Sequence, residues 1–130
     1  YYGLDFDIET MSLKAPGFLF RTADLSLRLR WISIMANQVE CDLAASGGIY
    51  EGEDVIKLIL AGASAVEICS TLFKNGLGYL PEMLAIMEKW MERHGFNTID
   101  EFRGKLSQSE SEDPAAYERI QFLKGSECDC

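Results

Sequence analysis

Two short turns in this chain carry residue types able to hold an anion. Gly47 and Gly48 follow a run of small and apolar residues, 41–45, that closes on Ser46. Glycine has no Cβ, so its backbone can approach an anion closely. The N–H groups there, with the start of a helix opening at Glu53, would cradle a phosphate. The second turn is Cys69-Ser70-Thr71, after a further run, 64–68. It offers more N–H groups and two hydroxyls. A lone Gly-Gly turn is a weak signal, and its plain alternative is a tight turn with a helix cap. Two such turns one strand–helix unit apart are a stronger signal. Neighbouring parallel strands end on the same edge of a sheet, so one phosphate could bridge both turns.

The elements that must position these turns read as one βαβ unit over residues 41–72. The first run is too apolar for a half-solvated strand and suits a parallel strand covered on one side by helices. Gly52-Glu53-Asp54 opens a helix with two acids in its first turn, where the dipole favours them. Val55, Ile56, Ile59 and Leu60 form its apolar face, and Gly62 ends it. Upstream, Thr22 caps a helix over 23–37 with a buried stripe of Leu25, Leu29, Ile32 and Met35. Arg28 and Arg30 fall off that stripe. Downstream, Pro81 sits at the first position of a helix whose stripe is Met83, Leu84, Met87, Trp90 and Met91. Gly95 stops it, and Thr98 with Glu101 makes a capping box for a short helix to about residue 106. The domain limits expected are 1–106 for the α/β unit, 107–113 for an acidic linker, 114–124 for a last short helix and 125–130 for a loose tail.

Composition narrows the partners. The chain has 130 residues, 48% hydrophobic, with a formal net charge of −9. That charge excludes nucleic acid and anionic membrane as expected partners, since both call for a basic surface. No apolar run reaches the ~18 residues that span a membrane, and no signal peptide follows Tyr1. Cys41, Cys69, Cys128 and Cys130 read as reduced thiols of a cytoplasmic protein. Cys128-Asp129-Cys130 lacks the further ligands of a structural metal site, so no metal is expected. His94, at a helix end beside Gly95, reads as a surface cap. Trp31 and Trp90 read as core. Asp5, Asp7 and Glu9 alternate with apolar residues and read as a solvated strand face. Cys69 has no evident general base and reads as a small buried thiol. The start at Tyr1, in mid-pattern, reads as the start of a fragment.

The segment SGGIYEGEDVIKLILAGASAVEICSTLFKNG, with IMEKWMERHGFNTIDEFRGKLS after it, resembles the C-terminal part of the class 1 dihydroorotate dehydrogenases. That family shows a Gly-Gly-Ile turn, a Gly-x-Asp helix, an Ala-Gly-Ala bend and a strand ending in Gly-Thr. A long helix follows, with a His/Lys-Gly-Phe/Tyr stop and a Gly-Lys-Leu ending. The resemblance covers residues 41–107, and a dehydrogenase-like branch of the family is also similar over 5–40 and 114–124.

The resemblance implies a fold and a chemistry. The fold would be α/β: the C-terminal portion of a (β/α)8 TIM barrel, with its last two parallel strands, their helices and the C-terminal helices. The cofactor would be FMN, and the reaction of the intact protein the oxidation of dihydroorotate to orotate in pyrimidine biosynthesis. Gly47 and Gly48 fall on the family's Gly-Gly, and Cys69 and Ser70 on its Gly-Thr, all of which hold the FMN phosphate. The catalytic base, the flavin-contacting lysines and the substrate-holding asparagines would lie before Tyr1, so no catalytic residue is assigned here and the isolated chain would be inactive. A small dihydroorotate-like substrate is the implied partner, and a homodimer is left open. Two departures stand out: Cys69 replaces a glycine, and residues 12–24 take the place of the family's Lys-Pro loop. They leave a second reading open, a non-catalytic phosphate-binding or structural barrel that has lost the redox chemistry.

Overall fold

The computed structural model describes residues 4–14 and 22–118. The apolar run 18–20, the end of the last helix, and the tail with Cys128 and Cys130 lie outside them. A hairpin comes first: β1 (Asp5–Asp7) pairs antiparallel with β2 (Ser12–Lys14), Phe6 opposite Leu13. Met11, at φ 48°, turns the chain between them. Then follow α1 (Thr22–Met35), β3 (Ala44–Ser46), α2 (Gly52–Ala61), β4 (Ala65–Glu67), α3 (Ser70–Asn75) and α4 (Tyr79–His94). Two 3-10 turns, Ile99–Glu101 and Gln108–Glu110, lead to α5 (Ala115–Glu118).

The expected βαβ unit is present. β3 and β4 are parallel neighbours with Ala45 opposite Val66, and α2 crosses between them. The fold is therefore mixed α/β with a two-stranded parallel sheet. Both strands are shorter than the apolar runs that announced them. Leu43 O already receives the Ser64 and Ala65 amides just before the ladder begins. Along β3, Ala45 is buried between exposed Ala44 and Ser46; along β4, half-buried Val66 sits between exposed Ala65 and Glu67. One face of the sheet is thus covered and the other open.

The covering layer is α1, α2 and α4, with α2 packed between the other two. α2 is the most deeply buried because it has neighbours on both sides. Ile56, Leu58 and Leu60 are fully enclosed. The residue absent from the expected apolar face is Leu58, for a helix flanked on both sides buries more than one stripe. Its start is fixed by a reciprocal capping box between Glu51 and Asp54.

α1 departs from expectation. Leu25 and Leu29 are buried as expected, but Met35 is 39% exposed and Trp31 is 53% exposed. The enclosed face runs instead through Ser26 and Ser33. Ser33 Oγ donates back to Leu29 O at 2.5 Å, which satisfies the buried hydroxyl within the helix. Apolar spacing alone pointed to the wrong edge of α1, because a serine that bonds its own helix can be buried at small cost.

α4 starts two residues before Pro81, which lies within its first turn, where a missing N–H leaves no bond unmade. Met83, Met87 and Trp90 are buried, while Leu84 stands 46% exposed. Trp90 is fully enclosed, and its indole N–H donates to Ile8 O at 3.0 Å. Gly95 ends the helix in the left-handed region, and the Thr98–Glu101 capping box forms as read, around a 3-10 turn rather than a longer helix.

The hairpin is docked on this layer by its buried Leu4, Phe6 and Ile8, with two ion pairs beside them. Lys57 reaches Asp5 at 2.6 Å, and Arg93 reaches Glu9 at 2.5 Å. Asp5 is buried, so the alternating acids are not a solvated strand face. Each instead meets a cation or a backbone donor: Asp7 Oδ1 accepts the amides of Glu9 and Thr10. His94 is more enclosed than a surface cap. Its ring stacks on Trp90 at 4.5 Å, and its nitrogens lie 2.9 Å from Trp90 O and 3.2 Å from Glu9 O.

Candidate anion-binding turns

Gly47 and Gly48 leave β3 with φ of +84° and +73°. Side-chain residues rarely adopt that region, and a valine there would be strained by ~1–2 kcal/mol or more. Space adds a second restriction. A Cβ on Gly48 would lie 3.1 Å from both Asp24 Cβ and the Leu25 amide nitrogen; one on Gly47 would lie 2.7 Å from Arg28 Nη2. The α1 backbone therefore closes the space beside Gly48, whereas at Gly47 the positive φ calls for glycine and the Arg28 guanidinium fills the space.

The second turn is built differently. Cys69 has φ −138° and ψ −68°, which does not call for glycine. Ser70 opens α3 directly. Cys69 and Ser70 are both exposed, so Cys69 is not the buried thiol expected from its apolar surroundings. Thr71 is buried and its hydroxyl is engaged. It donates to Tyr50 O at 3.1 Å and receives Asn75 Nδ2 at 3.1 Å. Of the two hydroxyls in this turn, only that of Ser70 is exposed. Thr71 instead ties the second turn to Tyr50, two residues beyond Gly48.

The two turns meet. Gly47, Gly48, Cys69 and Ser70 line one cavity of about 240 Å³, together with Tyr50 and Glu67. It opens where β3 and β4 end, as the parallel arrangement demands. Its volume lies below the ~300–1,000 Å³ of pockets that hold a whole drug-sized ligand. It has room for a small polar group and the start of what is attached to it. The lining presents main-chain groups of two turns, the side chains of Ser46, Tyr50 and Ser70 and, among the described residues, no cationic side chain. Glu67, at the end of β4, is the one ionisable acid in the lining and sets a limit on how much negative charge the cavity holds comfortably.

A larger cavity, about 410 Å³, opens at the other end of the strands, among Cys41, Leu43, Ser64 and Arg103. Two of its polar side chains are engaged within the protein. Ser64 Oγ donates to Asp42, and Arg103 donates to Ala63 O and Asp100. Among the described residues no cluster of His, Cys, Asp and Glu could hold a metal ion, and no helix is long and apolar enough to cross a membrane.

Sequence reasoning missed Arg28. It was expected to face away from the apolar stripe with no further role. Its guanidinium lies against Gly47, Nε donating to Ser46 O and Nη1 to Asp24 O at 2.6 Å. Nothing in the periodicity of α1 marks Arg28, because its partner is a backbone carbonyl eighteen residues away.

With these turns described, the relatives acquire meaning. The chain is 36% identical over 66 residues to a chloroplastic dihydropyrimidine dehydrogenase (NADP(+)) of Arabidopsis thaliana, covering 51% of this chain and 16% of that protein. It is 39% identical over 64 residues to a dihydroorotate dehydrogenase (fumarate) of Trypanosoma cruzi, covering 49% of this chain and 20% of that protein. It is 30% identical over 78 residues to the catalytic subunit of dihydroorotate dehydrogenase B (NAD(+)) of Pyrococcus furiosus, covering 60% and 26%. No family model matches. About half of this chain is thus similar to dihydroorotate dehydrogenases of both the fumarate and NAD(+) types. The matched region spans a quarter or less of most of these relatives.

Proposed function

We propose that this chain is the phosphate-binding part of a flavin-dependent oxidoreductase built on a (β/α)8 barrel and acting on a dihydropyrimidine ring such as dihydroorotate. One observation carries the reading. Two turns that follow adjacent parallel strands line a single small cavity, in a chain similar to enzymes named for dihydroorotate and dihydropyrimidine. Gly47 and Gly48 would hold the FMN phosphate through backbone N–H groups, and Cys69 and Ser70 would do so from the neighbouring strand, with the Ser70 hydroxyl as a further donor. The fit is supported by the glycine-only backbone of the first turn and by the size of the cavity, which suits a phosphate end and not a whole flavin. When bound, FMN supplies hydride acceptance or donation, and the protein supplies position. This chain's residues would bind and orient the cofactor.

Cys69 no longer favours the non-catalytic alternative. Its φ of −138° is negative and a cysteine occupies it, so the positive-φ demand for glycine found at Gly47 and Gly48 does not extend to this turn. The choice between dihydroorotate and a ring without the carboxylate rests on the residues that would contact the substrate.

The test is reconstitution of the full-length protein with FMN. The expected result is a yellow protein whose flavin fluorescence changes on binding and which oxidises or forms a dihydropyrimidine. A full-length protein that takes up no FMN would overturn the proposal. One that binds FMN yet turns over neither dihydroorotate nor dihydrouracil would overturn the substrate class alone.

A further inference from the structure

Among the described residues, Arg28 is the cation packed against the first turn. It donates from Nε to Ser46 O and from Nη1 to Asp24 O, and its Nη2 occupies the space a Gly47 side chain would fill. Arg28 does not itself line the cavity, and Asp24 Oδ1, 3.8 Å from Nη1, offsets its charge.

We propose that Arg28 is a positioning residue for the cavity: by holding the Ser46 carbonyl, it turns the amide of Gly47 toward the phosphate that the two turns receive. This rests on the phosphate reading above. The physical argument begins with the peptide plane. No peptide bond in the described residues is cis, and in a trans peptide the C=O and N–H point in opposite directions. Pinning Ser46 O on the Arg28 side therefore sends the Gly47 N–H away from Arg28. A planar guanidinium is suited to this task, since its donors hold two carbonyls at once in a fixed geometry, one on α1 and one at the end of β3. A lysine has a single nitrogen on a flexible stem and cannot reproduce that clamp. Gly47 is needed for the same reason, because a side chain there would displace the guanidinium.

The experiment compares FMN with riboflavin, which lacks the phosphate, in the full-length protein. Wild type is expected to prefer FMN. Arg28→Met is expected to lower FMN affinity about tenfold or more while riboflavin changes less than about threefold, because only the phosphate contact is lost. Arg28→Lys is expected to fall between the two. The phosphorus NMR resonance of bound FMN should move in both variants. An equal loss of FMN and riboflavin would show a merely structural role and overturn the inference. So would an unchanged FMN-to-riboflavin ratio. If Arg28→Met does not fold, the ratio and resonance in Arg28→Lys decide in the same way. A wild type with no preference for FMN would sink the phosphate reading itself, whereas a wild-type preference that Arg28→Met retains would sink only the role of Arg28.

Discussion

The two turns that share the small cavity follow equivalent strands but are held by opposite means. The Gly47–Gly48 turn is backed by α1, half-buried, and restricted to glycine by its φ values and by Asp24, Leu25 and Arg28 behind it. The Cys69–Ser70 turn is exposed, has a negative φ at Cys69, and is tied to the chain just beyond the first turn by the buried Thr71 hydroxyl on Tyr50 O. One turn is fixed by shape and the other by a hydrogen bond. Shape-fixed sites tolerate no added atoms; tethered sites tolerate substitution as long as the tether stays.

The largest effect expected from this contrast is at Gly48. Gly48→Val places a branched side chain at φ +73° and against the α1 backbone, which should destabilise the protein by ~2 kcal/mol or more. FMN binding should be lost with it. Thermal unfolding and flavin titration check both. A Gly48→Val protein with wild-type stability would break the claim that α1 dictates this turn.

Next comes the tether. Thr71→Val keeps the shape and removes the hydroxyl, leaving Tyr50 O without this donor in a part-buried setting, at a cost of ~1 kcal/mol. Unfolding by denaturant would measure it, and no change would mean the second turn is held by packing instead. Smaller again for stability is Ser70→Ala, which removes the exposed hydroxyl that the second turn gives the cavity. The expected loss in FMN affinity is about three- to tenfold, worth ~1 kcal/mol, with stability unchanged. Cys69→Gly should alter FMN affinity less than about twofold, since the backbone there already tolerates a side chain. A large gain on Cys69→Gly would show that the second turn is as shape-restricted as the first.

The smallest effect is one of acid, and it falls away from both turns. The Thr10 and Glu9 amides hold the Asp7 carboxyl below its ordinary value of 3.8, and the Thr98 and Asn97 amides do the same for Glu101, whose ordinary value is 4.5. Both folded values are depressed, so their contribution is present above the ordinary values and fades as pH falls through the lower, folded ones. Amide NMR of residues 9, 10, 97 and 98 should titrate below those ordinary values, while Gly47 and Gly48 amides should not follow either transition. Titration of the glycine amides in step with Asp7 or Glu101 would mean that the turns are coupled to these caps.

How legible this was in the sequence depended on the range of the interactions. The βαβ unit, the cap glycines at Gly62 and Gly95, the Thr98–Glu101 box and the Gly-Gly turn were all readable, because each is set by neighbours within a few positions. The hairpin 5–14 was seen only as an alternating stretch. Its role as a docked element depends on the core that encloses Phe6 and Ile8 and on Lys57 and Arg93, some fifty and more than eighty residues away. Trp31 and Leu84 were misread as core for a related reason. Periodicity gives the apolar positions of a helix, but only its neighbours decide which edge is covered.

The sequence by itself determined that two turns with accessible backbone end two parallel strands one helix apart, because glycine, chain direction and a crossover of that length leave few alternatives. The tertiary structure alone decided what those turns are. It brought Gly47, Gly48, Cys69 and Ser70 to one cavity, withdrew the Thr71 hydroxyl into a tether, and laid Arg28 on the carbonyl of Ser46. Those outcomes depend on where α1 and α3 come to rest. Packing sets that through contacts between residues far apart in the chain, which no local pattern encodes.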